Sequence, residues 1–129
     1  QQYQLLQEYT IWDNVCMPLY ISHDIPDYQY LQQVLERVGM WERRKDYPDQ
    51  LSGGEQQRVA IARAMAAKPE IIFADEPTGN LDYYTGQEVM QMICMSREIY
   101  RQTIVMVTHD IESANYADRI VMIEDGRLR

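Results

Sequence analysis

The sequence predicts an α/β fold built on a mainly parallel sheet. Two short runs, Ile71-Ile72-Phe73-Ala74 and Thr103-Ile104-Val105-Met106-Val107, are apolar without regular polar alternation. That is the pattern of strands buried on both faces of a parallel sheet. Segments with apolar residues at helical spacing lie before, between and after them, and strand–helix alternation marks the α/β class. A chain of 129 residues corresponds to about one domain. Its hydrophobic content of 46% is enough for a core.

Composition narrows the function classes. A net charge of −8 argues against nucleic acid as a partner, since such binders carry a basic face. It leaves docking onto a membrane protein open. The two cysteines, Cys16 and Cys94, match no metal spacing and read as buried thiols rather than a bridge. No apolar run approaches the ~20 residues of a membrane-spanning helix, and no basic leader precedes one. The chain opens on Gln1-Gln2-Tyr3-Gln4 without an initiator methionine, and is expected to be a segment of something longer.

Residues 1–9 read as a loop. Thr10 and Asp13 resemble a capping box that starts a helix near Ile11, with Pro18 expected to disturb it. Pro26 and Asp27 open a second helix, in which Leu31, Val34, Leu35 and Val38 share a face and Gly39 is a C-cap. Met40 and Trp41 fold back on it. Trp41 to Asp46 reads as a solvated charged connector. Val89, Met92, Ile93, Ser96 and Ile99 mark a later helix face, and the methionines there read as core filler. Ile111 to Ala117 is a short helix, Arg119 to Glu124 a third strand, and Asp125-Gly126 a hairpin turn. His23 reads as an ordinary surface or core histidine.

The chemistry gathers between Leu51 and Asp82. Ser52-Gly53-Gly54 precedes a helical run from Glu55 to Ala67. Unencumbered backbone N–H groups at a helix start form an anion site. The strand that follows stops at two adjacent carboxylates, Asp75 and Glu76, and a Pro-Thr-Gly-Asn turn delivers Asp82. Ligands of parallel sheets bind beyond the carboxyl ends of the strands. Neighbouring strand residues point oppositely, so one carboxylate is available to a metal and the other to a water. Thr108-His109-Asp110 ends the second strand on the same rim.

In this order, LSGGE, IIFAD with the following Glu76, GNLD and THD resemble the nucleotide-binding domain of ABC transporters. EPTGNLD is closest to the branch that includes lipoprotein-releasing, macrolide-export and cell-division transporters. The resemblance implies a partial P-loop NTPase-like core over residues 68–129. It implies a Q-loop end and an ABC-type α-helical subdomain with the signature over residues 1–67. It implies ATP and Mg²⁺ as cofactors, with Asp75 on the metal, Glu76 as general base and His109 as the switch histidine at the γ-phosphate. Ser52, Gly53, Gly54 and Glu55 would form the signature contact to a partner copy's ATP, and Asp82 would reach that partner. Glu55 stands where many relatives have Gln. Counting back from Thr10-Ile11-Trp12-Asp13-Asn14-Val15 puts the Q-loop glutamine, a nucleotide and metal contact, on Gln1, with Gln2 as the alternative.

The same resemblance implies a head-to-tail dimer with a second ATPase subunit, and permease subunits at the cytoplasmic face of the cell membrane. Six of the ten tyrosines lie before residue 48. Tyr9, Trp12 and Tyr20 are candidates for the permease contact, with plain packing as the alternative. A Gly-Lys pair is needed for the P-loop, but Lys45 and Lys68 follow Arg44 and Ala67. These residues alone are therefore expected to be inactive, and the strand at Ile71–Phe73 to lose a neighbour and drive self-association. Two other classes stay open: a soluble ABC ATPase of DNA repair or chromosome maintenance, and a truncated, non-catalytic interaction module.

Overall fold

The computed structural model describes residues 4–129. The elements in order are α1 (Ile11–Ile21), α2 (Tyr28–Arg37), α3 (Gly53–Ala66), β1 (Ile71–Asp75), α4 (Tyr83–Tyr100), β2 (Thr103–Val107), α5 (Ile111–Ala114), β3 (Ile123–Glu124) and β4 (Arg127–Leu128). Single 3₁₀ turns at Trp41–Arg43 and Pro48–Gln50 bridge α2 to α3.

Each helix start is chemically determined. The side chains of Thr10, Asp27, Ser52, Asp82 and Asp110 accept first-turn N–H groups of α1, α2, α3, α4 and α5, which otherwise lack partners. Gly39 follows α2 at φ +71°, the left-handed conformation that suits glycine. Pro18 lies inside α1, and the helix continues to Ile21. The bond that proline cannot donate is outweighed by the buried face of Ile11, Val15 and Cys16. The α3 helix spans Gly53–Ala66 rather than Glu55–Ala67, because its cap is Ser52.

One apolar cluster joins α1, α2 and α3 through Val15, Leu31, Val34, Leu35, Val38 and Val59, all fully buried. Met40 is buried with them, and its amide donates to Leu35 O. A second cluster sits on α4 at Val89, Met90 and Ile93, against Ile104 and Met106 of β2. Ile61 of α3 packs on both. The α4 face therefore uses Met90, while Ile99 is exposed. Cys16 is buried, and burial pushes its thiol up to about 11; Cys94 is half-buried.

β1 and β2 pair in parallel, Ile71 with Thr103 through Asp75 with Val107. The expectation of strands buried on both faces does not hold among the described residues. Ile72, Ala74, Ile104 and Met106 face the helices, while Ile71, Phe73, Val105 and Val107 are exposed on the other side. Helices cover only one side of this sheet, so burial alternates along sequences that do not. β1 keeps β2 as a neighbour, and among the described residues each strand has one free edge. The expected strand Arg119–Glu124 shrinks to Ile123–Glu124, paired antiparallel with Arg127–Leu128 across Asp125 and Gly126 at φ +50° and +73°. Met122 O still accepts from Arg129 N at 2.8 Å, but residues 119–121 join no ladder. The α5 helix ends at Ala114, not Ala117.

The charged connector is more than a solvated surface. Arg43 Nε donates to Asp46 Oδ2 at 2.6 Å and Nη2 to Gln50 O at 3.0 Å, while Nη1 pairs with Glu55. Trp12, Tyr28 and Trp41 form a three-ring cluster with centroids 5.2–6.2 Å apart. The Arg44 guanidinium lies 3.9 Å over Trp41, a cation–π contact. Trp12 is thereby engaged in packing, whereas Tyr9 and Tyr20 remain exposed. Among the described residues no helix is long and apolar enough to cross a membrane.

Candidate functional site

Two clefts meet at Asp82. The first, about 580 Å³, is lined by Ser52, Gly53, Gly54, Glu55, Arg43, Arg58 and the Asn80–Asp82 turn. The second, about 270 Å³, is lined by Glu76, Thr78, Gly79, Asp82, Tyr83, His109 and Asp110.

In the first cleft, Ser52 Oγ accepts from Glu55 N at 3.2 Å and donates to Glu55 Oε1 at 3.0 Å. Glu55 Oε2 is engaged by Arg43. The glutamate therefore does not stand bare beside the helix N-terminus. A guanidinium from the connector, shared with Asp46, offsets part of its negative charge. Ser52 and Gly53 are exposed, and Gly54 is buried. The α3 N-terminus, with its first-turn N–H groups, is thus open on the side an anion would approach.

In the second cleft, Glu76 follows the last residue of β1 and takes φ +46°. The left-handed region is uncommon for a side-chain-bearing residue, and a residue before proline ordinarily stays extended. Glu76 N donates to Val107 O at 2.8 Å, and Gly79 N donates to Glu76 O at 3.1 Å. These bonds hold the turn. The carboxylate then swings onto the end of β2. Glu76 Oε1 accepts from His109 N at 2.9 Å and lies 2.6 Å from His109 Nδ1; Oε2 accepts from Thr108 Oγ1 at 3.2 Å.

The electrostatics follow from that geometry. The His109 ring, with its amide and the Thr108 hydroxyl, holds the Glu76 carboxyl below its ordinary value. The carboxylate in turn raises the His109 ring. His109 is 85% exposed and Glu76 only 17%, so the far side of the imidazole faces outward. Asp75 ends β1 and is exposed. Glu76 leaves the strand at the next residue. The two carboxylates are separated by this turn, and only Glu76 is bound to His109.

Asp82 caps α4. Its Oδ1 accepts from Thr85 N at 3.1 Å and its Oδ2 from Thr85 Oγ1 at 2.6 Å. The Thr85 hydroxyl and amide hold its carboxyl below the ordinary value. Thr78 Oγ1 and Ser113 Oγ lie 3.0 Å apart, tying the turn after Glu76 to α5.

The structure thus gathers Ser52, Gly53, Gly54, Glu55 and Asp82 around one cleft, and Glu76, His109 and Asp82 around the other. Asp75 lies on the rim outside both linings. Gln1 lies outside the described residues. Sequence reasoning passed over Arg43, Thr85 and Thr108 as partners of these groups. Thr108 adjoins His109, and Thr85 stands at the capping distance from Asp82, so both were signalled; Arg43, 12 residues from Glu55, was not.

Known proteins share both the sequence and the fold of this chain. The sequence profile of the ABC transporter family matches residues 1–79. An uncharacterized ABC transporter ATP-binding protein of Methanocaldococcus jannaschii is 45% identical over 99% of this chain and 58% of its own length. The lipoprotein-releasing system ATP-binding protein LolD of Pseudomonas syringae pv. tomato is 45% identical over 99% of this chain and 57% of its own. The macrolide export ATP-binding/permease protein MacB of Chlorobium luteolum is 48% identical over 98% of this chain and 19% of its own. The dimeric structure of MJ0796, a bacterial ABC transporter cassette, superposes with a TM-score of 0.81 at 40% identity, covering 99% of this chain and 58% of that one. A second dimeric MJ0796 structure, in a post-hydrolysis state with ADP and Pi, gives the same values. The chain spans somewhat more than half the length of LolD and of MJ0796. With its signature turn, strand-end carboxylates and histidine rim in this order, the chain belongs to the ABC transporter family.

Proposed function

We propose that this chain is the signature-bearing and carboxylate-bearing part of an ATP-hydrolysing subunit that couples ATP to transport. In this reading residues 1–67 are the Q-loop end and helical subdomain, and residues 68–129 the partial ATPase core. The observation that carries it is the Glu76 carboxylate fixed by His109 and Thr108 at the rim of a parallel pair of strands.

Each residue then has a role. Glu76 orients the attacking water and takes its proton. The hydrogen bonds from His109 and Thr108 hold the carboxylate still and ionised, and Oε2 carries only one of them. His109 keeps Nδ1 on Glu76 and presents Nε2 outward to donate to the transferred phosphate. Phosphoryl transfer depends chiefly on such positioning and charge matching. Ser52 and the Gly53–Gly54 amides take the γ-phosphate of ATP bound by a partner copy, with Glu55 held by Arg43, which it shares with Asp46. Asp82 stands between the two clefts, toward that partner.

Asp75 fits a hard divalent cation: it is an exposed carboxylate at the strand end, while Glu76 is already engaged. Mg²⁺ typically takes one or two carboxylates and completes its shell with phosphate oxygens and water. Asp75, with Gln1 by register, would hold it, and bound there it would neutralise phosphate charge.

The dimeric MJ0796 structures support pairing with a second ATPase subunit; in this reading the pair is head-to-tail. The MacB name, an ATP-binding/permease protein, supports permease partners; in this reading they hold the subunit at the cytoplasmic face of the membrane. Helices α1 and α2, of 11 and 10 residues, favour this over a chromosome-maintenance ATPase with long coiled coils. Without a P-loop lysine among them, residues 1–129 are inactive alone.

The test is Glu76→Gln in a complete subunit, this chain preceded by a P-loop segment. Nucleotide binding should persist while turnover drops about 10²–10⁴-fold, the usual worth of a general base. A variant with wild-type kcat would overturn the assignment.

A further inference from the structure

Gly54 is buried in the first turn of α3, and its backbone is ordinary helix. Its conformation does not call for glycine; the space around it does. A Cβ placed there would stand 2.4 Å from Thr85 Cγ2, below the 3.0 Å that real Cβ contacts respect. The turn carrying the signature therefore rests on one methyl group of α4.

That methyl is not free to step aside. Thr85 Oγ1 donates to Asp82 Oδ2 at 2.6 Å, and Thr85 N donates to Asp82 Oδ1 at 3.1 Å. A β-branched side chain is stiff at χ1. Rotating Cγ2 away from residue 54 carries Oγ1 off Asp82 and loosens the cap of α4.

We infer that Thr85 is a positioning residue that locks the signature turn and Asp82 into one unit, its methyl against Gly54 and its hydroxyl on Asp82. Asp82 lines both clefts. Displacement of the signature turn is thereby delivered to the cleft that holds Glu76 and His109. For its part in turnover, this relay rests on the function proposed above.

The experiment uses the complete subunit as wild type, Gly54→Ala, Gly54→Ala with Thr85→Ser, and Thr85→Val. Serine keeps the hydroxyl and drops the methyl; valine keeps the shape and drops the hydroxyl. Hydrogen exchange of the Thr85 amide and the KM and kcat for ATP are read together. Gly54→Ala should speed Thr85 exchange roughly 2- to 30-fold, the worth of an N-cap, and lower kcat. Adding Thr85→Ser should recover most of both losses. Thr85→Val should speed exchange and lower kcat with Gly54 intact, and wild-type values of both there would overturn the relay even if Gly54→Ala does not fold. Slow turnover in Gly54→Ala with wild-type Thr85 exchange, or no recovery in the double variant, would overturn the relay. A wild-type subunit that bound but never hydrolysed ATP would overturn the proposed function alone, and the exchange readout would still decide the relay.

Discussion

Asn14 should be among the costliest polar residues to lose. It is fully buried in α1. Its Oδ1 accepts from Leu6 N at 2.7 Å, and its Nδ2 donates to Leu6 O, Tyr9 O and Thr10 O at 3.0, 3.1 and 3.0 Å. Two amide protons serve three acceptors, so the side chain contributes about three hydrogen bonds. These tie the loop before α1 onto the helix. In Asn14→Ala, Thr10 O keeps the Asn14 amide and Leu6 O keeps the Tyr9 amide. Leu6 N and Tyr9 O are left without those partners. Each stranded group costs ~1–3 kcal/mol. Leu6 and Tyr9 are themselves 41% and 45% exposed, so water relieves part of this, and the expected loss is about 2–3 kcal/mol. Asn14→Asp keeps the acceptor, loses both donors and turns a carboxylate toward carbonyl oxygens. It should be worse than alanine at neutral pH and recover as acid protonates it. Urea melts followed by fluorescence of Trp12 and Trp41 measure both variants. A loss under ~0.5 kcal/mol for Asn14→Ala, with Asn14→Asp no worse, would mean that water replaces the amide, and the reasoning would fail.

Two further outcomes follow from the geometry. Glu76 raises the His109 ring above its ordinary 6.5, and the Glu76 carboxyl lies below its ordinary 4.5. The histidine's contribution to stability is complete below pH 6.5 and fades as pH rises through the raised value; the glutamate's is complete above pH 4.5 and fades as pH falls through the lowered one. An NMR titration should place the His109 midpoint above 6.5 and return it toward 6.5 in Glu76→Gln; identical midpoints would deny the pair in solution. On the exposed side of the sheet, Ile71, Phe73, Val105 and Val107 are 50%, 78%, 43% and 61% exposed. Covering them is worth roughly 3–7 kcal/mol, against an association cost of ~4–15 kcal/mol, so residues 1–129 alone should self-associate weakly and only as concentration rises. Sedimentation should show this for the wild-type chain and not for Phe73→Thr with Val107→Thr; equal association in both would place the contact elsewhere.

Much of the fold was legible because its signals are local. Thr10, Asp27, Ser52, Asp82 and Asp110 stand within three residues of the N–H groups that they cap. Leu31 shares a face with Val34 and Leu35, three and four residues on, because a helix repeats every 3.6 residues. The motif residues of the candidate site were also readable, since each sits at a strand end or helix start that its own neighbours define.

What the sequence by itself determined was therefore where elements begin, what class of fold they build, and which residues crowd the rim. Only the tertiary structure decided what those residues touch. Arg43 meets Glu55, Thr85 blocks a side chain at Gly54, and Glu76 turns at φ +46° onto His109. It also decided that Phe73 and Val107 lie exposed while Ile72 and Met106 face helices. The reason is physical. Capping and periodicity act within about one helical turn of chain, whereas these contacts join residues 12 to 33 apart. Their pairing is set by how α3, α4, β1 and β2 pack, and the burial of a strand face is set by what lies across from it.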